Sequence, residues 1–253
     1  MKGLLKWAMY GSVSLLTVTA GQTLISAYRN KNPELDIFFS NFESSEIGKS
    51  FVASPLEDWK VSKGNLECLS SGKNRTVHLL GWQLGPQAGN FEMSVHLGIL
   101  NPEISYQDHN WVGFRLGGNK TSNHSENLIY DQGIDVGVST NGMLFIDRPG
   151  NNYKDEIVIE ALKKEVDLKV LVVPDNGTYT IEVILLETDT DQVIGHISKN
   201  GIPPEDVEGD LFLVSNFENL DHSRTNHVKS VWFKNWKIKG TKLTKNKTNN
   251  EKL

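Results

Sequence analysis

The segment Phe91-Glu92-Met93-Ser94-Val95-His96-Leu97 alternates apolar and polar residues without a break. That period of two belongs to a strand with one face in a core and the other turned away from it. Near the far end of the chain, Val231-Trp232-Phe233-Lys234-Asn235-Trp236-Lys237-Ile238 has the same spacing with an aromatic bias. Between these segments the pattern repeats. Strands are predicted over Phe38–Phe42, Trp59–Val61, Leu66–Cys68, Val77–Leu80, Trp111–Leu116, Ile134–Val138, Met143–Ile146, Val193–Ile197, Leu211–Ser215 and Val228–Lys239. Ser62-Lys63-Gly64-Asn65 and Ser139-Thr140-Asn141-Gly142 carry hairpin turn chemistry, and Pro174-Asp175-Asn176-Gly177 joins a long hairpin of Val166–Val173 and Thr178–Glu187. Only Asn151–Glu165 is expected to include helix. So many short strands with regular turn signals predict an all-β sandwich of two antiparallel sheets.

Of the 253 residues, 38% are hydrophobic and 23% charged, ordinary for a globular chain that can bury one large core. The opening segment reads differently. Lys2 and Lys6 precede a short apolar run from Trp7 to Leu16, and Val18-Thr19-Ala20 places small residues where a signal peptidase inspects, with Ile25-Ser26-Ala27 as a second exit. Residues 1–27 are therefore expected to be a signal peptide, 28–37 a linker, 38–242 the sandwich and 243–253 a disordered polar tail. The apolar run is too short and too interrupted by Ser12, Ser14 and Thr17 to span a bilayer, so no membrane anchorage is expected after cleavage. Net charge is -5 at pH 7, and loss of Lys2 and Lys6 makes it more negative. Such a surface repels phosphate backbones and argues against nucleic acid as a partner. Cys68 is the single cysteine, which excludes an intramolecular disulfide and any multi-thiolate metal site. It shares a strand face with Leu66, the setting of a buried, unreactive thiol. An exported chain without disulfides fits a bacterial periplasm or secreted fraction.

The order of these strands resembles the concanavalin A-like (laminin G-like) jelly roll over about Phe38 to Lys242. The resemblance rests on Phe42-Glu43, Trp59-x-Val61-x-x-Gly64-x-Leu66, Phe91-x-Met93-x-Val95, Asn110-Trp111-Val112-Gly113-Phe114-Arg115 and Val231-Trp232-Phe233-x-Asn235-Trp236. Asn65–Arg75 and Trp111–Arg115 also look like the module that precedes some bacterial alkaline phosphatase D-type metallophosphatase domains. The His- and Asp-rich metal-binding domain of that family has no counterpart here, so phosphatase activity does not carry over. The jelly-roll resemblance implies sugar binding, glycan cleavage or plain interaction. It also implies a structural calcium near Glu43 in some relatives, although Lys234 and Asn235 stand where a carboxylate would help. The acidic signature of the glucanase branch is approached only by Glu156-Ile157-Val158-Ile159-Glu160, with Val158 where a central acid belongs. On a strand its two glutamates would lie about 13 Å apart, whereas retaining hydrolysis uses carboxyl groups about 5–5.5 Å apart.

If Phe91, Met93, Val95 and Leu97 are core, then Glu92, Ser94 and His96 face outward, as do Trp111 and Arg115 on the next strand. An outward Trp beside Arg, His and Glu suits a sugar, the ring covering C–H groups while the polar groups hold hydroxyls. Trp111, Arg115, His96 and Glu92 are accordingly the expected ligand-binding residues, with Trp82 and Tyr130 as extensions. The competing expectation is that a second layer covers this face, leaving Trp111 as packing and Arg115 as an ion-pair partner. The histidines (His78, His96, His109, His124, His196, His222 and His227) are scattered rather than set at ligand spacing. Five Asn-x-Ser/Thr matches, at Asn74, Asn119, Asn123, Asn176 and Asn246, are read as chance in an Asn-rich chain. The sequence thus points to an exported, monomeric module that binds glycan or another surface polymer without catalysis or cofactor. A glycan-active hydrolase or lyase, and an accessory domain that mediates protein contacts, remain open.

Overall fold

The structure is a computed structural model, and it describes residues 36–43, 47–86, 89–100, 109–118, 133–150, 153–217, 229–241 and 243–244. The expected signal peptide, linker residues 28–35, Tyr130, His124, His222, His227, the matches at Asn119, Asn123 and Asn246, and tail residues 245–253 lie outside them. The described residues belong to the unit that starts at Asp36.

Two antiparallel sheets make up this unit, as the alternation predicts. In the first, β12 (Val193–Ile202), β11 (Thr178–Glu187), β10 (Val166–Asp175), β6 (Phe91–Ile99), β14 (Val231–Gly240), β4 (Asn65–Cys68) and β3 (Trp59–Ser62) follow one another, and β1 (Asp36–Ser40) also pairs with β14. In the second the order is β15 (Leu243–Thr244), β5 (Arg75–Leu84), β13 (Gly209–Asn216), β7 (Trp111–Gly118), β8 (Ile134–Ser139) and β9 (Leu144–Asp147), with β2 (Phe51–Ser54) on β5. Phe91, Met93, Val95 and Leu97 from the first sheet meet Val112, Phe114, Leu116, Leu211 and Leu213 from the second in one core, all at most 1% exposed. Each fully buried side chain of this size contributes about 1.5–3 kcal/mol. This interleaved layer is what holds the sheets together.

Local chemistry sets the register. Lys63 and Gly64 (φ 53° and 76°) turn β3 into β4, and Asn176 and Gly177 (φ 47° and 86°) turn β10 into β11, as type I′ hairpins require. A bulge in β14 at Asn235 (φ 54°) lets one strand pair with β4 through Trp232 and Phe233 and with β1 from Trp236 onward. Trp236 is fully buried there, its ring stacked on Phe51 at 5.6 Å. Cys68 is fully buried and its Sγ donates to the Ser70 carbonyl, while burial pushes the thiol pKa up. It is inert, as the sequence predicts.

Several boundaries differ from expectation. The first strand starts at Asp36 inside the expected linker, and Leu243–Thr244, assigned to a disordered tail, pair with Leu84 and Gln83. Strand β2 was not anticipated. The helix expected within Asn151–Glu165 is a short one, α1 (Glu156–Leu162), and a single turn, α2 (Pro204–Val207), follows later. Asp155 caps α1, its Oδ1 accepting from the Ile157 and Val158 amides. Glu156 and Glu160 therefore sit one helical turn apart and not at alternating strand positions. The comparison with the glucanase signature fails on backbone as well as on the missing central acid.

Candidate functional site

Pairing determines which side chains meet on the outer face of the eight-stranded sheet. On β6, His96 stands opposite Asp167 of β10 on one side and Lys234 of β14 on the other. Ser94 lies between Lys169 and Lys237, and Glu92 between Leu171 and Lys239. Gly98 faces Trp232, which in turn pairs with Glu67 of β4.

His96 is the centre of this face. Its Nδ1 lies 3.2 Å from Asp167 Oδ1 and 3.3 Å from Thr188 Oγ1, and its Nε2 lies 3.2 Å from Glu165 Oε2. Asp167 arrives by strand register, Glu165 from the connection between α1 and β10, and Thr188 from the turn after β11. The hydrogen bond to Asp167 raises the imidazole pKa most; burial pulls against it, and the Glu165 carboxylate adds to the rise. These contacts occupy both ring nitrogens. A ring with both nitrogens engaged in this way is a poor general base.

Trp232 completes the set. Its ring centroid lies 5.2 Å from that of His96, and it is half-buried. A Cβ built on Gly98 would fall 2.6, 2.7 and 2.8 Å from Nε1, Cε2 and Cζ2 of the indole. The rim of the indole that carries Nε1 therefore overlies Gly98. The missing side chain is what lets it lie there. Glu165 and Thr188 also line a cavity of about 640 Å³ between α1 and the β11–β12 turn, whose other lining residues are the apolar Ile157, Ala161 and Ile194, the acidic Glu156, Glu160, Glu187 and Asp189, and Lys164. The polar cluster thus opens directly into a concave space.

The expected quartet is not brought together. β6 belongs to one sheet and β7 to the other, so His96 and Glu92 lie on one outer face of the sandwich while Trp111 and Arg115 lie on the opposite one. Trp111 is only 6% exposed; its ring packs edge-on against Phe145 at 5.1 Å, in a second apolar cluster with Phe212 and Val214. Arg115 is bidentate to Asp135 (Nε–Oδ1 2.7 Å, Nη2–Oδ2 2.9 Å) and donates to Asn74 Oδ1. The packing and ion-pair alternative therefore holds for both residues. Glu92 is buried and takes a bond from Lys239 Nζ at 3.2 Å, two positions along β6 from Ser94. Trp82 packs on the core beside Phe38 and does not join His96. Of the four residues, His96 alone keeps a place in the site. Its partners Trp232, Asp167, Glu165 and Thr188 were missed.

Two other histidines also have carboxylates: His78 Nε2 lies 3.3 Å from Asp210, and His196 Nε2 lies 3.1 Å from Glu182. Among the described residues, no group of three or more His, Cys, Asp or Glu side chains is placed to hold a metal ion.

No family model matches the chain, and no curated protein matches it in sequence. Solved structures do match in shape. Arcelin-5, a lectin-like defense protein from Phaseolus vulgaris, superposes with a TM-score of 0.56 at 12% identity, over 82% of this chain and 98% of that one. The winged bean acidic lectin complexed with methyl-α-D-galactose gives 0.53 at 12% identity, over 84% and 100%. Lectin I from Ulex europaeus, in complex with the methyl glycoside of α-L-fucose, gives 0.53 at 11% identity, over 82% and 98%. At such identities the likeness speaks for architecture only. The chain has the lectin-like, concanavalin A-like jelly-roll sandwich fold.

Proposed function

We propose that this chain is an exported, monomeric, non-catalytic module that binds glycan on the outer face of its eight-stranded sheet. The observation that carries the reading is the half-exposed Trp232 indole lying over Gly98 beside a His96 held by two carboxylates. A flat aromatic surface covers the C–H face of a pyranose, and adjacent charged donors and acceptors bind its hydroxyl groups. Glu165, Asp167 and Thr188 supply acceptors, Lys234 supplies a donor, and the neighbouring cavity has room for a further sugar unit. Lectins of the same architecture that were solved with methyl-α-D-galactose and with a fucoside support the class of ligand. A His96 ring with both nitrogens already engaged argues for binding over cleavage.

Affinity electrophoresis of the purified chain through gels containing a panel of polysaccharides tests the proposal. Retardation that Trp232→Ala abolishes, with unchanged stability, is the expected result. Binding untouched by that change moves the site elsewhere, and release of reducing ends or unsaturated sugars makes the protein an enzyme. Export is tested by sequencing the mature N-terminus, which should lie near Ala20 or Ala27. Kinship with the module before alkaline phosphatase D-type domains is a separate proposal, supported only by the Asn65–Arg75 and Trp111–Arg115 segments.

A further inference from the structure

The outer face of the eight-stranded sheet carries a row of lysines on a chain whose net charge is negative. Its carboxylates are already engaged: Glu67 by Lys229 at 2.8 Å, Glu92 by Lys239 at 3.2 Å, Asp167 and Glu165 both by His96 at 3.2 Å, and Glu182 by His196 at 3.1 Å. Lys60, Lys169, Lys234 and Lys237 point outward on the same face, and none has a carboxylate partner among the described residues. Four lysines without a carboxylate partner thus stand together on a protein whose formal net charge is -5. They are arranged, not scattered. Lys234 and Lys237 run along β14, and Lys169 faces Lys237 across Ser94, so two ammonium groups flank one hydroxyl in a single cross-strand row. Phe39, 55% exposed, ends that row on β1, and Trp232 lies on β14 beyond Lys234.

We infer that the glycan bound on this face is acidic, a polymer bearing carboxylate or sulfate groups, with Lys169, Ser94 and Lys237 taking one acidic group and Lys234 the next. The inference rests on the glycan-binding reading and narrows it. A line of charge along β14, with Phe39 at one end and the indole near the other, fits one chain laid lengthwise on the sheet. Ammonium groups exposed to solvent act through screened attraction, so binding of this kind weakens as salt rises.

The experiment compares the full chain, Lys169→Gln/Lys237→Gln and Trp232→Ala against polygalacturonate and chondroitin sulfate as acidic polymers, and dextran and galactomannan as neutral ones. Duplex DNA and phosphatidylserine vesicles serve as other polyanions. Ionic strength is varied from about 0.01 M to about 0.15 M, which shortens the screening length from about 30 Å to about 8 Å. The acidic glycans should bind at least tenfold tighter than the neutral ones and lose that advantage with salt. The double lysine variant should lose about tenfold, two surface charge contacts of ordinary strength, and keep its melting temperature. Equal, salt-insensitive binding of neutral and acidic glycans, weakened by Trp232→Ala alone, overturns this inference and leaves the glycan reading standing. Preference for vesicles or DNA over every acidic glycan also overturns it. Failure of all polysaccharides to bind ends both.

Discussion

Gly98→Ala tests the site without deleting any of its groups. The added methyl would lie 2.6–2.8 Å from three atoms of the Trp232 indole. Ordinary contact begins near 3.4 Å, so the ring must rise or swing by roughly 0.6–0.8 Å at those atoms. No backbone strain accompanies the change, because Gly98 does not hold a left-handed conformation. Overpacking a closed core costs about 1–3 kcal/mol. Here the ring is half-exposed and can move, and replacing a strand glycine returns about 0.5–1 kcal/mol. The two contributions nearly cancel, so the urea midpoint should shift little. Sugar affinity should not be spared. An aromatic ring displaced from its place over Gly98 forfeits its stacking, about 1 kcal/mol or somewhat more, which corresponds to about a five- to tenfold loss. Isothermal titration with the tightest polysaccharide, paired with the change in tryptophan emission, measures both effects. Unchanged affinity in Gly98→Ala together with a displaced emission maximum would refute the claim that the indole over Gly98 is the binding platform.

Three further outcomes follow from the geometry. Because the folded-state pKa of His96 is raised, its stabilisation is fully present below the unfolded value near 6.5 and fades as pH rises through the folded one. The stability gap between the native chain and His96→Gln should thus be wide at pH 5.5 and narrow at pH 9 in urea titrations, and a gap that grows with pH contradicts the carboxylate contacts. Asp155→Ala removes the acceptor for the Ile157 and Val158 amides and should cost about 1 kcal/mol, with faster hydrogen exchange confined to the first turn of α1. Phe114→Ala, at a fully buried position shared by both sheets, should cost about 3–5 kcal/mol, read as a lowered urea midpoint with unchanged slope.

Depth was legible in the sequence; partnership was not. The alternation in Phe91–Leu97 and Trp111–Leu116 identifies the inward residues on both strands. It says nothing about which sheet each joins, and β6 and β7, neighbours in sequence, part company there. That separation divides the expected site between two faces. The run Leu211-Phe212-Leu213-Val214 carries a usable signal, since a strand apolar at every position is covered on both sides. Phe212 and Val214 are indeed fully buried on the face that Trp111 shares. Trp232 was hidden among the core residues Val231 and Phe233, yet Gly98 inside a strand marks a close approach by something large. Glu165, Asp167 and Thr188 meet His96 only through pairing of strands about 70 to 90 residues apart, which one sequence does not reveal.

The placement of β14 has a consequence for how the chain is made. This strand joins β1, β4 and β6, and Phe38 pairs with Ile238 some 200 residues later. The sheet's middle position is therefore filled last as the polypeptide emerges from the ribosome. Until then β1, β4 and β6 have unpaired edges with apolar flanks, the kind of exposed template that recruits chaperones or other copies. Nascent chains halted before Val231 should be protease-sensitive throughout, and protection should arrive in one step once Gly240 clears the exit tunnel.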